Sequence, residues 1–285
     1  MAQPPPRDAL TFPSSSAHHI DPYLPHFQPT TSSSTKPFVT LTFATSLDSS
    51  LSLAPGLQTA LSGPQSKAMT HYLRSHHDAI LIGCGTAIAD NPSLNCRIAG
   101  VGGYGGQGLE RQPRPVVVDP RGRWDVSGAS KVVKLAREGR GRGVWVVCWK
   151  GSAHEERRAL LESAGGKVLE IEGNEKMAWT SILERLGREG VRSVMIEGGG
   201  AVINELLAKA NIELVDLVVV TVAPVWLGKG GVQVCPDARE EGGRKVPVNR
   251  LKDVKWVPLG EDVVLCGRPI VTEAEAGAKS SPDAD

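Results

Sequence analysis

No stretch of the 285-residue chain approaches the ~20 consecutive apolar residues that a membrane span requires. The N-terminus also lacks the apolar core of a secretory signal, so a cytoplasmic location is expected and no membrane partner. Cysteine is scarce: Cys84, Cys96, Cys148, Cys235 and Cys266 are odd in number, widely spaced, and never in Cys-x-x-Cys spacing. That argues against a zinc site and a redox dithiol, fits a reducing compartment, and leaves no metal expected. An excess of one charge is missing too. The 32 basic and 31 acidic residues leave a formal net charge of +1, so nothing draws the chain to nucleic acid. There is no His-Glu-x-x-His, no P-loop and no Gly-x-Ser-x-Gly, so metalloprotease, NTPase and serine hydrolase readings lack their motifs.

What is present suffices for a folded domain, with 40% apolar residues. Residues 1–36 are rich in proline, serine and threonine and read as a flexible tail; residues 272–285 read the same way. The body, 37–271, alternates short β-rich runs with helical patterns. Strands are expected over 37–43, 78–82, 115–119, 143–148, 167–171, 192–196, 214–222 and 262–267. Helices are expected over 62–75, 154–164, 176–188 and 200–210, with Ser62 as N-cap of the first and Pro64 in its first turn. Such alternation implies βαβ crossovers and a mainly parallel sheet, mixed where the last strands follow one another without a helix.

The strongest local feature is Val194-Met195-Ile196-Glu197-Gly198-Gly199-Gly200-Ala201. A buried strand ends in three glycines and a helix follows. Glycines let backbone N–H groups approach an anion closely, and a helix N-terminus adds partial positive charge. Read from the residues alone, a ligand-free turn remains open. Glu197 at the strand end is costly unless something pairs with it. A second strand opens into Gly83-Cys84-Gly85-Thr86, where Thr86 and Asp90 share one face of a helical turn, as caps or as ligand contacts. The string Gly103-Tyr104-Gly105-Gly106-Gln107-Gly108 mimics a dinucleotide fingerprint but lacks the flanking strand and helix, so 99–112 reads as a flexible surface loop. Arg74 and Arg97 lie near these loops, and arginine suits bidentate phosphate recognition.

Taken in order, Pro37–Asp48, Ala68–Arg74, Gly83–Asn95, Pro113-Arg114-Pro115, Glu197–Gly200 and Ala223–Gly228 resemble the riboflavin-pathway reductases, in particular the fungal pyrimidinone 5′-phosphate reductases. The resemblance spans about 37–268. It implies a dihydrofolate reductase-like α/β fold, a homodimer, and NADPH as cofactor. The implied substrate is a phosphorylated pyrimidine whose ribosylamino side chain is reduced to ribitylamino. It also implies site residues: Ala44, Thr86, Asp90, Ile171 and the turn Glu197, Gly198, Gly199, Gly200, Ala201 toward NADPH; Arg74, Leu94 and Arg97 toward the substrate; Glu197 as the catalytic candidate between them. Bacterial members often carry glycine after Ser-Leu-Asp, where this chain has Ser49-Ser50. The chain carries no deaminase zinc motif, so a deamination step is not expected of it. Two other readings share the fold: a dihydrofolate or pterin reductase-like enzyme, and a non-catalytic nucleotide-binding protein. Lys67, His71 and Arg74 on the helix over 62–75 suit a phosphate better than a folate.

Overall fold

The structure, a computed structural model, describes residues 6–27 and 36–270. Helix α1 (Ser14–Ile20) and two short 3-10 turns (Asp21–Tyr23 and Pro25–Phe27) precede strand β1 (Phe38–Thr45). Next come β2 (Ser50–Ser52), α2 (Pro64–Arg74), β3 (Ala79–Gly83), α3 (Cys84–Asp90), β4 (Arg114–Val118), α4 (Lys131–Arg137) and β5 (Trp145–Trp149). They are followed by α5 (Glu155–Ser163), β6 (Lys167–Ile171), α6 (Trp179–Arg188), β7 (Ser193–Gly198), α7 (Gly200–Leu207) and β8 (Leu217–Val222). The remaining strands are β9 (Val232–Gln233), β10 (Arg239–Glu241), β11 (Arg244–Val246), β12 (Leu251–Leu259) and β13 (Asp262–Pro269).

The main sheet runs β12-β13-β8-β1-β7-β3-β4-β5-β6. From β8 to β6 every pairing is parallel, while β13 lies antiparallel to both β8 and β12. This is the predominantly parallel, mixed sheet with flanking helices that the sequence implies. The central strands are near-continuous apolar runs because helices cover both faces. Alternation in β7 divides the core. Val194 and Ile196 meet α6 and α7 on one face, and Met195 meets α2 on the other. In α6, Trp179, Ile182, Leu183 and Leu186 recur at helical spacing, and all are buried against the sheet.

The chain enters β1 at the middle of the sheet, moves outward through β3 to β6, and returns to insert β7 between β1 and β3. The order of strands therefore reverses around β1 and β7. In α/β sheets the carboxyl ends of strands at such a reversal form a crevice that binds ligands.

Several expectations are corrected. Gly63, not Ser62, stands at the N-cap of α2, with Pro64 at the first helical position; no side chain caps the helix, and the Gly63 N–H donates to Asp262 Oδ2 at 2.8 Å. Helix α4 and strand β12 are additional to the expected elements. Strand β12 is largely exposed and charged, so it carries little of the apolar alternation by which a strand is recognised.

The expected N-terminal tail is also revised over residues 6–27. Helix α1 packs on the domain, with Ile20 and Leu24 fully buried beside Met69, Leu73 and Val264. Proline and serine dominate the segment's composition, but Ala17, Ile20 and Leu24 fall on one side of it. Residues 1–5 and 28–35 of that tail, and the tail over 272–285, lie outside the described residues. Ile20→Ala is expected to cost about 3 kcal/mol of stability, as for other fully buried large-to-small changes. Urea unfolding measures it; a cost below about 0.5 kcal/mol, typical of a surface site, would contradict the packing.

The loop 99–112 is packed rather than flexible. Val101 is fully buried and Tyr104 is 1% exposed. Gln112 Nε2 donates to the Cys96 and Gly102 carbonyls, and its Oε1 accepts from the Cys96 N–H. A Cβ on Gly102 would sit 2.5 Å from the Gly108 oxygen, and one on Gly106 would sit 2.4 Å from the Gly100 oxygen. These glycines permit backbone-to-backbone packing, which composition alone reads as looseness.

Candidate active site

A cleft of about 900 Å³ opens at the carboxyl ends of β1, β3, β4 and β7. Its floor is the turn from β7 into α7. Gly198 and Gly199 have φ of +80° and +101°, which side chains rarely tolerate. A Cβ on Gly199 would lie 2.6 Å from Thr86 Oγ1, and one on Gly200 would lie 2.3 Å from Val232 Cγ1. No side chain caps α7, and Gly200, Ala201 and Val202, whose first-turn N–H groups lack helical partners, line the cleft. The backbone here forms a cradle that suits a phosphate-bearing cofactor.

Thr86 ties the two glycine loops together, its hydroxyl donating to the Gly198 carbonyl at 3.2 Å. Asp90 lies further along the same wall, where burial raises its carboxyl pKa and Lys131 partly offsets that. Ala44, Glu197 and Ala201 also line the cleft.

Glu197 finds the partner its position demands. Arg74 Nε and Nη2 donate to its two oxygens at 2.7 and 2.6 Å, and Arg74 Nη1 donates to the Asn95 carbonyl at 2.9 Å. Burial alone would disfavour the Arg74 charge; the Glu197 carboxylate more than reverses this and raises the guanidinium pKa. Arg74, expected to face the substrate, thus spends Nε, Nη1 and Nη2 inside the protein.

Arg97 is not among the residues lining this cleft; its Nη1 lies 3.9 Å from Asp8 Oδ2. Leu94 is buried in the core beside Ile80 and Val117, so its side chain does not enter the cleft. Ile171 packs against the core at the end of β6 and is not among the lining residues. Of the expected residues, the structure therefore gathers Ala44, Thr86, Asp90 and Glu197–Ala201 around one cleft. Arg74 stands directly behind them.

Sequence reading missed Arg121 and Arg123, which line the cleft from the end of β4. Asp119 pins their loop: its Oδ1 accepts from the Arg123 N–H, and its Oδ2 accepts from the Trp124 N–H and from Arg157 Nη2. Arg123 Nη2 also donates to Cys84 Sγ at 2.9 Å. Two arginines just past a buried parallel strand were a usable signal, because that edge is where such sheets bind ligands. The family motifs around Asp48 and Gly228 also meet. The Leu227 and Gly228 N–H groups donate to the Asp48 carboxylate at 3.1 and 2.7 Å. Ser49, which follows Asp48 in this turn, has a φ of 59°.

Behind the site, His71 and His77 are buried and neutral. The His71 Nδ1 accepts the Arg97 N–H at 3.1 Å; burial, with Arg74, Arg97 and Lys67 adding to it, holds the His71 pKa at about 2. The His77 Nδ1 donates to the Leu73 carbonyl and its Nε2 accepts from Thr40; burial holds it at about 4. Because both folded pKa values lie below the ordinary 6.5, the associated stability is complete above pH 6.5 and is lost as the pH falls toward about 4. The expected loss is about 1.4 kcal/mol per pH unit for each histidine. Urea unfolding at a series of pH values measures it, and His71→Asn should remove about a third to a half of the slope, since His76, held at about 3 by burial and by Arg111, adds its own share. A slope unaffected by that substitution would contradict the neutral, buried state of His71.

A mainly parallel sheet with a glycine cradle and a largely buried Arg–Glu pair at its strand ends defines a class: α/β proteins with a cleft at the strand-order reversal. Within that class the chain belongs to the RibD C-terminal domain family, whose model matches residues 37–265. It is 37% identical over 251 residues to the 2,5-diamino-6-ribosylamino-4(3H)-pyrimidinone 5′-phosphate reductase of Candida glabrata, covering 87% of this chain and 96% of that one. It is 42% identical over 250 residues to the reductase of the same name from Eremothecium gossypii, covering 87% and 94%. Among solved structures it resembles the Saccharomyces cerevisiae riboflavin biosynthesis reductase Rib7, with a TM-score of 0.70 and 33% identity, covering 89% of this chain and 98% of that one.

Proposed function

We propose that this protein is an NADPH-dependent reductase of riboflavin biosynthesis. It converts the ribosylamino side chain of 2,5-diamino-6-ribosylamino-4(3H)-pyrimidinone 5′-phosphate to the ribitylamino form. The observation that carries this reading is the continuity of Glu197 with Gly198–Gly200: one residue of the β7 end is a fixed carboxylate and the next three are the cradle. A reduction needs donor and acceptor side by side, and this turn offers a place for each.

In the cradle, NADPH would supply the hydride. The chain's own residues do the rest. The α7 N–H groups and Gly198–Ala201 would hold the pyrophosphate, and Thr86 and Asp90 would contact the remainder of the nucleotide. Ala44, whose small side chain lines the cleft, would leave room for the nicotinamide. The ring-opened sugar presents a C1′=N bond, and hydride adds to C1′ once the nitrogen carries a proton. Glu197, fixed by both arms of Arg74, places negative charge where that cationic nitrogen develops. Arg97, which does not line the cradle side of the cleft, would meet the substrate's 5′-phosphate beyond the Arg74–Glu197 pair.

A folate substrate fits less well, since α2 (Pro-Gln-Ser-Lys-Ala-Met-Thr-His-Tyr-Leu-Arg) carries no carboxylate to meet a pterin ring. The same reading includes a cytoplasmic homodimer. Val254 and Trp256 stand 44% and 56% exposed on β12, whose outer edge pairs with no other strand among the described residues and so invites a second copy. Sedimentation tests this; a monomer at micromolar concentration would remove the dimer from the reading. The activity itself is tested by loss of NADPH near-ultraviolet absorbance on addition of the ribosylaminopyrimidine phosphate. Absence of turnover with both the amino and the deaminated pyrimidine would end the proposal. Tight NADPH binding without any reduction would favour the non-catalytic reading.

A further inference from the structure

Arg97 and Arg140 converge on one carboxylate from the N-terminal segment. Arg140 Nη2 lies 2.8 and 2.9 Å from the two oxygens of Asp8, and Arg97 Nη1 lies 3.9 Å from Oδ2. The pair is held in place from behind. The Arg140 guanidinium lies over the Tyr104 ring, 4.9 Å from its centre, and Nη2 also donates to the Tyr104 hydroxyl at 2.9 Å. Asn95 Nδ2 donates to that hydroxyl and to the Arg140 carbonyl. His71 holds the Arg97 backbone N–H. Two guanidinium groups brought together repel unless an anion lies between them. Here the Asp8 carboxylate supplies that charge between them, with Glu138 Oε2 also 3.8 Å from Arg140 Nη1, and the site is one that an exchanging anion can occupy.

The receptor is joined to the cleft by a short polar chain. The carbonyl of Asn95 accepts from Arg74, and Arg74 holds Glu197 on the cleft wall. Its present occupant is weakly attached. The Asp8 side chain is 46% exposed, and its end of the segment is tied to the domain by the pairing of Leu10 with Arg97 and Ala99. The firmly buried anchors, Ile20 and Leu24, lie well beyond. The half-exposed Asp8 carboxylate is placed to turn out to solvent while Leu10 and the rest of the segment stay docked.

We propose that Arg140 is a second ligand of the substrate's phosphate beside Arg97, and that Asp8 occupies the pair in the substrate's absence as an intramolecular competitor. This rests on the reading that Arg97 faces the phosphate. Binding then exchanges one anion for another: the phosphate takes the guanidinium donors and the Asp8 carboxylate returns to water. Because a partly exposed ion pair is a weak competitor, the expected effects are modest for Asp8 and larger for Arg140.

The test uses the full chain and inorganic phosphate as probe, titrated by calorimetry. Asp8→Asn is expected to bind phosphate about threefold more tightly than the unsubstituted protein. Arg140→Gln is expected to bind it about tenfold more weakly, with Arg140→Lys retaining most of the affinity. In turnover, Asp8→Asn should lower the KM for the phosphorylated pyrimidine by a similar factor, leave the KM for NADPH unchanged, and make no difference with the unphosphorylated riboside. Unchanged or weaker phosphate binding in Asp8→Asn would overturn the competitor role. Unchanged binding in Arg140→Gln would overturn the ligand role. Failure of the reductase reading would show separately, as no NADPH oxidation by the unsubstituted protein, while the phosphate titration still decides the receptor.

Discussion

Gly199→Ala is expected to raise the KM for NADPH about a hundredfold while the protein remains folded. Gly199 has φ +101° and ψ 147°, a region that is nearly exclusive to glycine and costs another residue about 1–3 kcal/mol. The added Cβ would also meet Thr86 Oγ1 at 2.6 Å, pressing on the hydroxyl that donates to the Gly198 carbonyl. Relief of either strain shifts the floor of the cradle and re-aims the α7 N–H groups. A double variant separates the two causes. Thr86→Ala removes the clash but not the backbone strain, so Gly199→Ala should cost less in that background than alone. A KM for NADPH unchanged by Gly199→Ala would show that this turn is not the cofactor's cradle.

Arg74→Met should lower kcat about a hundredfold and destabilise the protein by about 3 kcal/mol, because it leaves the Glu197 carboxylate largely buried without its partner. Adding Glu197→Gln removes the orphaned charge, so the double variant should recover much of the stability and none of the activity. This outcome differs from what a direct phosphate contact would give. If Arg74 bound the substrate phosphate, its loss would raise the KM for the phosphorylated pyrimidine and spare the unphosphorylated riboside. The geometry, with Nε, Nη1 and Nη2 satisfied inside the protein, favours a fall in kcat for both.

The layout of strands was legible because buried parallel strands leave continuous apolar runs, as in Ala79–Gly83 and Ser193–Gly198. The glycine turn after β7 was legible for a similar reason: three glycines at a strand end have few uses besides close approach of the backbone. The elements that escaped carry little periodic signal. Strand β12 shows its charged residues to solvent, and α4 is short. The N-terminal segment buries few side chains within a run dominated by proline and serine. The glycine-rich loop misled for the opposite reason, since its glycines serve tight packing around Tyr104 rather than mobility.

Within the site, residue type and position along the chain were readable, but partnership was not. Arg74 and Glu197 stand 123 positions apart, and nothing local distinguishes an arginine that meets a ligand from one that meets a carboxylate. Asp8 and Arg140 are 132 positions apart and join only because the N-terminal segment folds back over α2. Arg121 and Arg123 could have been found by asking which charged residues directly follow a buried parallel strand.

The central claim is that the turn Glu197–Gly200 brings a nicotinamide and a ribosylamine together for hydride transfer. The most direct test is turnover of the ribosylaminopyrimidine phosphate with NADPH deuterated at the transferable nicotinamide position. The expected result is one deuterium in the product, at C1′ of the ribityl chain, formed at the rate of NADPH loss. NADPH consumption without deuterium at C1′, or no consumption at all, would contradict it.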